Sequence, residues 1–222
     1  MAERPAVKIG VLVSGSGTNL QAILDAIARG ELKAEIRVVI SNRAKAYALE
    51  RARNQGIAAL AIDHRQFASR EDFDRALVRE LRARGVELVV CAGFMRLLSH
   101  VMLDAYPGRI MNIHPALLPS FPGIHGPRDA LEYGVRISGC TVFFVTEGVD
   151  AGPIIIQAAV PVLPGDDEET LAERIHREEH RIYPEAIRLY QEGRLQISGR
   201  RVIIRDADSA PESLTLANPR PR

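Results

Sequence analysis

Apolar and polar positions along the chain fall into blocks that switch between a strand-like and a helix-like period. Residues 7–13 form an apolar run, a strand; Leu20, Ile23, Leu24 and Ile27 then fall at helical spacing before Arg29-Gly30 supplies a cationic last turn and a stop. Residues 35–41 read as a second strand, Ser41-Asn42-Arg43 as the cap of a helix carrying Ala48, Leu49 and Ala52, and Gly56 as its end. A third strand is predicted over 57–62, and a helix marked by Phe73, Leu77 and Leu81 closes at Arg84-Gly85. Residues 86–91 lack clean alternation, as expected of a strand covered on both faces, and the short run 110–113 is a further strand stopped by Pro115. Strands alternating with helices call for an α/β fold, a doubly wound and mostly parallel sheet with helices on both faces.

The second half is less regular. A loop dense in Pro and Gly covers 120–127, and a short helix over 130–133 ends at Gly134. Residues 137–145, which carry Cys140, Thr141 and Phe143, and residues 154–160 are strands, separated by a Gly-flanked turn containing Asp150. An acidic cluster over 166–169 precedes a helix with Leu171, Ile175, Ile182 and Ile187 on its inner side, where acids complement the helix dipole. One more strand is expected at 202–204. Residues 1–205 are expected to form a single domain and residues 206–222, with three prolines and little apolar content, a flexible tail.

Composition narrows the field without naming a chemistry. With 222 residues, 46% apolar content and a formal net charge of +1, the chain suits a globular domain and gives no electrostatic case for nucleic acid or an acidic membrane. The two cysteines, Cys91 and Cys140, sit inside apolar runs and read as small buried hydrophobes of a reducing compartment. No signal-peptide pattern and no bilayer-length apolar run is present, so the expected location is the cytoplasm. A homo-oligomer is compatible with all of this.

Three stretches carry candidate chemistry, and all lie at predicted carboxyl ends of strands, where open α/β sheets bind ligands. Ser14-Gly15-Ser16-Gly17-Thr18-Asn19 is a glycine-rich strand-to-helix turn that can hold a phosphate on backbone N–H groups; it lacks the Gly-Lys-Ser/Thr ending of a Walker loop and the third glycine of a dinucleotide loop. Ala92-Gly93-Phe94-Met95-Arg96 is the second. In the third, Asn112 and His114 are two apart on a strand, so an amide and an imidazole leave the same face. Asp150 either makes a local Asx turn or meets His114. His176-x-x-Glu179-His180 matches an inverted zinc-protease pattern, but no third ligand stands out and no metal is expected.

These stretches occur together and in order with Ser41-Asn42-Arg43, Asn112-Ile113-His114-Pro115-Ala116-Leu117-Leu118-Pro119 and Asp150-Ala151-Gly152-Pro153. The combination resembles the phosphoribosylglycinamide formyltransferases, folate-dependent enzymes of purine synthesis, over about residues 7–193. The resemblance implies a Rossmann-like formyltransferase fold and transfer of a formyl group from 10-formyltetrahydrofolate, as co-substrate, to the amine of glycinamide ribonucleotide. It further implies that Gly17, Thr18 and Asn19 hold the substrate phosphate and Glu179 the glycinamide end. Arg70, Met95, Arg96, Leu97, Leu98 and Asn112 would bind folate, and Asn112, His114 and Asp150 would be catalytic. Ser16, Phe143 and Gly126-Pro127 depart from the family pattern as it stands in a well-known relative.

Formyl transfer needs an oriented amine, a stabilised oxyanion and a proton for the leaving folate nitrogen. Asn112 can donate to the oxyanion, His114 can assist there and pass on a proton, and Asp150 can orient the imidazole. Formyltetrahydrofolate hydrolase uses a similar trio but carries a preceding regulatory domain, whereas Val7 here already begins the first strand. Methionyl-tRNA formyltransferase needs a further carboxyl-terminal domain and a basic surface. A catalytically silent nucleotide-binding module is the reading from another class; the presence of the trio speaks against it.

Overall fold

The computed structural model describes residues 4–206, so apart from Asp206 the expected tail lies outside the described residues. In chain order the elements are β1 (Val7–Val13), α1 (Thr18–Ala28), β2 (Ala34–Ser41), α2 (Tyr47–Asn54), β3 (Ala59–Ala61), α3 (Arg70–Ala83), β4 (Leu88–Cys91), α4 (His100–Ala105) and β5 (Ile110–His114). They continue with α5 (Gly126–Tyr133), β6 (Ile137–Phe144), β7 (Ile154–Pro161), α6 (Glu168–Gln191), β8 (Leu195–Ser198) and β9 (Arg201–Ile204).

Among the described residues all the strands form one nine-stranded sheet in the order β3-β2-β1-β4-β5-β6-β7-β9-β8. The stretch from β3 to β5 is parallel, β6 runs antiparallel to both β5 and β7, and β8 and β9 form an antiparallel ribbon joined to β7 through a parallel bridge at Ile154–Arg201. The chain leaves β1 toward β2 and β3 on one side and later toward β4 and β5 on the other. That reversal opens a crevice beyond the carboxyl ends of β1 and β4.

Strand alternation fills both faces. Val11, Val90, Met111 and Ile113 point into a core shared with α1, α2, α5 and α6, while Leu12, Val89 and Ile110 point into a second core under α3 and α4. Helix α6 is fixed at its middle: the buried Tyr183 hydroxyl lies 2.8 Å from the carbonyl of Cys91, the last residue of β4, and 3.0 Å from that of Met111 on β5. Pro184 follows inside the helix, where it removes one backbone donor.

Some boundaries differ from the expectation. Ser41, Asn42 and Arg43 do not cap α2, whose N-cap is Ala46; the Ser41 hydroxyl accepts from the Arg43 N–H and the Asn42 carboxamide oxygen accepts from the Ser14 hydroxyl. Helix α5 starts at Gly126, not at residue 130, with Pro127 in its first turn; Gly126 packs against the Pro115 carbonyl, which a Cβ would meet at 2.7 Å. Helix α4 and strand β8 have no counterpart in the pattern: at six and four residues both are too short to show a period.

Candidate active site

The glycine turn after β1 is held from three sides. The Ser14 N–H donates to the Gly93 carbonyl, the Ser14 hydroxyl donates to Asn42 Oδ1 at 2.6 Å and accepts from the Met95 N–H at 2.8 Å, and Arg51 Nε donates to the Ser16 carbonyl at 2.9 Å. Gly17 is the N-cap of α1 with φ 74°; a Cβ there would sit 2.6 Å from Ala48 Cβ. The first-turn N–H groups of α1 therefore open onto a cavity of about 350 Å³ lined by residues 14–19 together with Arg43, Met95, Ile113, His176 and Glu179. Backbone donors and two basic side chains make it suited to an anion.

Glu179 is the carboxylate of this cavity. It lies on the apolar stripe of α6, 3% exposed, one turn before Tyr183, and Asn19 Nδ2 donates to its Oε2 at 2.9 Å. Burial raises the Glu179 carboxyl above its ordinary range, opposed by the Asn19 hydrogen bond and by the fields of His176 and His114. Asn19 Oδ1 is buried with no hydrogen-bond partner. Among the described residues no group of His, Cys, Asp and Glu is arranged to hold a metal ion; in the His176-x-x-Glu179-His180 pattern the two rings stack on each other, 6.4 Å between centroids.

A second cavity, about 400 Å³, opens on the opposite side of β5. Arg70, Arg96, Leu97, Leu98 and Asn112 line it, with Phe94, Phe143 and the segment 145–150 completing its walls. Arginine at its edge and apolar side chains within suit a planar, anionic ligand. Met95 alone of the expected folate residues lies on the other side, in the glycine-turn cavity. Asn112 and Ile113, neighbours on β5, thus line different cavities, and the strand end is the partition between them.

His114 and Asp150 meet at that partition. His114 Nδ1 lies 3.4 Å from Asp150 Oδ2, and both side chains are largely buried. His114 Nε2 lies 2.7 Å from the Phe121 carbonyl, which can only accept, so Nε2 carries a proton. Both ring nitrogens thus face acceptor oxygens. The Gly123 N–H donates to Asp150 Oδ2 at 2.8 Å, so the loop 120–127 grips both members of the pair. Asp150 does not close on its own turn; it adopts φ 48° and reaches across to that loop.

The structure brings Gly17, Thr18, Asn19 and Glu179 to one side of β5, and Arg70, Arg96, Leu97, Leu98 and Asn112 to the other, with Asp150 beside His114. Arg43, which the sequence pattern places in a cap, and His176, which it places only in a metal-like motif, both line the glycine-turn cavity. Phe143, the departure on β6, pairs with Asn112 across the sheet and is 2% exposed at the wall of the second cavity.

The formyl transferase family pattern matches residues 7–187. The phosphoribosylglycinamide formyltransferase of Escherichia coli K12 is 47% identical over 86% of this chain and 90% of its own length. Glycinamide ribonucleotide transformylase 1 from Symbiobacterium toebii superposes with a TM-score of 0.89 at 61% identity, covering 90% of this chain and 95% of the other. The trifunctional purine biosynthetic protein adenosine-3 of Drosophila pseudoobscura is 52% identical over 88% of this chain, which spans 14% of that protein's length. By sequence and by structure, the chain belongs to the formyl transferase family, alongside the phosphoribosylglycinamide formyltransferases.

Proposed function

We propose that this chain transfers the formyl group of 10-formyltetrahydrofolate to the amine of glycinamide ribonucleotide, with the folate in the Arg70–Leu98 cavity and the ribonucleotide phosphate on the glycine turn. The observation that carries this reading is the partition at β5. Asn112 opens to one cavity and Ile113 to the other, and His114, the next residue on the strand, faces Asp150 of the donor cavity. A donor and an acceptor bound on either side would meet at that strand end.

In this reading the amine nitrogen attacks the formyl carbon, the carbon–N10 bond breaks, and a proton lost by the amine is taken up by the folate nitrogen. Asn112 donates an N–H to the oxyanion, a contact worth about 3–4 kcal/mol in comparable sites. His114, bonded to Phe121 and facing Asp150, is placed to act on the same oxyanion; donating its own Nε2 proton requires the Phe121 bond to break. Asp150, which lines the donor cavity, fixes the ring and lies on the proton's route, directly or through water. Glu179 and Asn19 receive the glycinamide end, and Arg43 and His176 join the phosphate site. The unpaired, buried thiols of Cys91 and Cys140, both pushed up to about 12 chiefly by burial, support a reducing compartment, the cytoplasm.

Purified protein incubated with 10-formyltetrahydrofolate, with and without glycinamide ribonucleotide, tests the reading. Tetrahydrofolate released only when the ribonucleotide is present, with formylated ribonucleotide in equal amount, is the expected result. Formate released without it would make the chain a hydrolase.

A further inference from the structure

One buried acid lies outside this machinery. Asp74 is on α3, fully buried beside the apolar side chains Phe73 and Leu77. Its Oδ2 accepts from the Ser99 N–H at 2.5 Å and from the Ser99 hydroxyl at 2.7 Å, while its Oδ1 has no hydrogen-bond partner. Burial raises its pKa; the two Ser99 bonds and the charge of Arg70, one helical turn away, work against that. A buried acid with half its acceptors unmatched costs folding free energy that an apolar side chain would not. Ser99 is likewise diverted: it stands at the N-cap of α4, yet its hydroxyl makes no bond to that helix and turns to Asp74.

This contact bears on the donor cavity. Residues 96–98 have no regular secondary structure, and together with Ser99 and His100 they form one continuous wall of that cavity. The segment is tied at both ends by side chains from elsewhere: the Met95 N–H to the Ser14 hydroxyl, and Ser99 to Asp74. Asp74 itself does not line the cavity. Arg70, on the same helix, does.

We infer that Asp74 is a positioning residue for the formyl donor: by gripping Ser99 it sets the span of residues 96–98 and holds that wall in register with Arg70. The inference rests on the function proposed above for that cavity. A residue that only stabilised the fold would change melting temperature and leave the choice between the two ligands alone. Asp74 instead discriminates between them, because the glycine-turn cavity lies across β5 and is anchored by other contacts.

Titration calorimetry of the full chain with tetrahydrofolate, and separately with glycinamide ribonucleotide, tests this in the parent and in Asp74→Ala, Asp74→Asn and Ser99→Ala. Asp74→Ala is expected to weaken tetrahydrofolate about tenfold and leave the ribonucleotide within about twofold. Ser99→Ala, which removes one of the two donors, is expected to weaken tetrahydrofolate about threefold. Asp74→Asn keeps an oxygen that accepts both Ser99 bonds and is expected to restore binding. If Asp74→Ala does not fold, Ser99→Ala carries the test. Unchanged tetrahydrofolate binding in the folded Ala variants, or equal loss of both ligands, overturns the inference while leaving the proposed function standing. A parent chain that binds no tetrahydrofolate overturns both.

Discussion

His114 Nδ1 and Asp150 Oδ2 lie 3.4 Å apart, although one ends β5 and the other sits in the turn before β7. The two are joined a second time through the loop 120–127, which accepts from His114 at Phe121 and donates to Asp150 at Gly123. The pair is therefore held as a unit with both ring nitrogens engaged, and the carboxylate is the member that faces the donor cavity.

Asp150→Asn is the direct probe of that unit. The amide keeps the size and can still accept from Gly123, but it removes the negative charge beside the ring. The expected outcome is a fall in kcat of about 100-fold or more with an unchanged melting temperature. Near-parent turnover would take Asp150 out of the reaction.

Gly17→Ala tests the cradle. The residue has φ 74°, and a Cβ would lie 2.6 Å from Ala48 Cβ and 2.9 Å from Ala48 Cα. Backbone strain and overpacking both act against folding, by about 2 kcal/mol or more in urea unfolding. Because the same push moves α2 and α1 apart at the phosphate cavity, KM for the ribonucleotide should rise more than KM for the folate.

Glu179 predicts a pH dependence of stability with a definite sign. Burial raises its carboxyl above the ordinary 4.5, so the folded chain holds this proton more tightly than the unfolded chain. Its contribution is fully present below that ordinary value and is lost as pH rises through the folded one. Glu179→Gln cannot titrate. Urea unfolding across a pH series should therefore show the variant gaining on the parent as pH rises; a difference that stays flat or reverses contradicts the assignment.

The parallel half of the fold was legible because apolar runs and helical spacing mark its elements: β1, α1, β2, α3 and β5 fall where that pattern puts them. Ser41-Asn42-Arg43 misled because Ser and Asn mark caps, whereas here a bond from Ser14, 28 residues away, takes Asn42. Glu179 carried its own signal, an acid on the inner stripe of an apolar helix face. The Phe121 carbonyl, the Ser99–Asp74 grip and the place of Met95 carried none. Each depends on where a loop without periodicity lies in space, which local spacing does not encode.

The partition at β5 is tested most directly by a crystal structure of the protein with tetrahydrofolate and glycinamide ribonucleotide both bound. The folate ring is expected against Phe143 and Leu98, the phosphate on the N–H groups of residues 17–19, and the amine of the ribonucleotide at the strand end beside Asn112 and His114. Both ligands on one side of β5, or a phosphate away from the glycine turn, would contradict it.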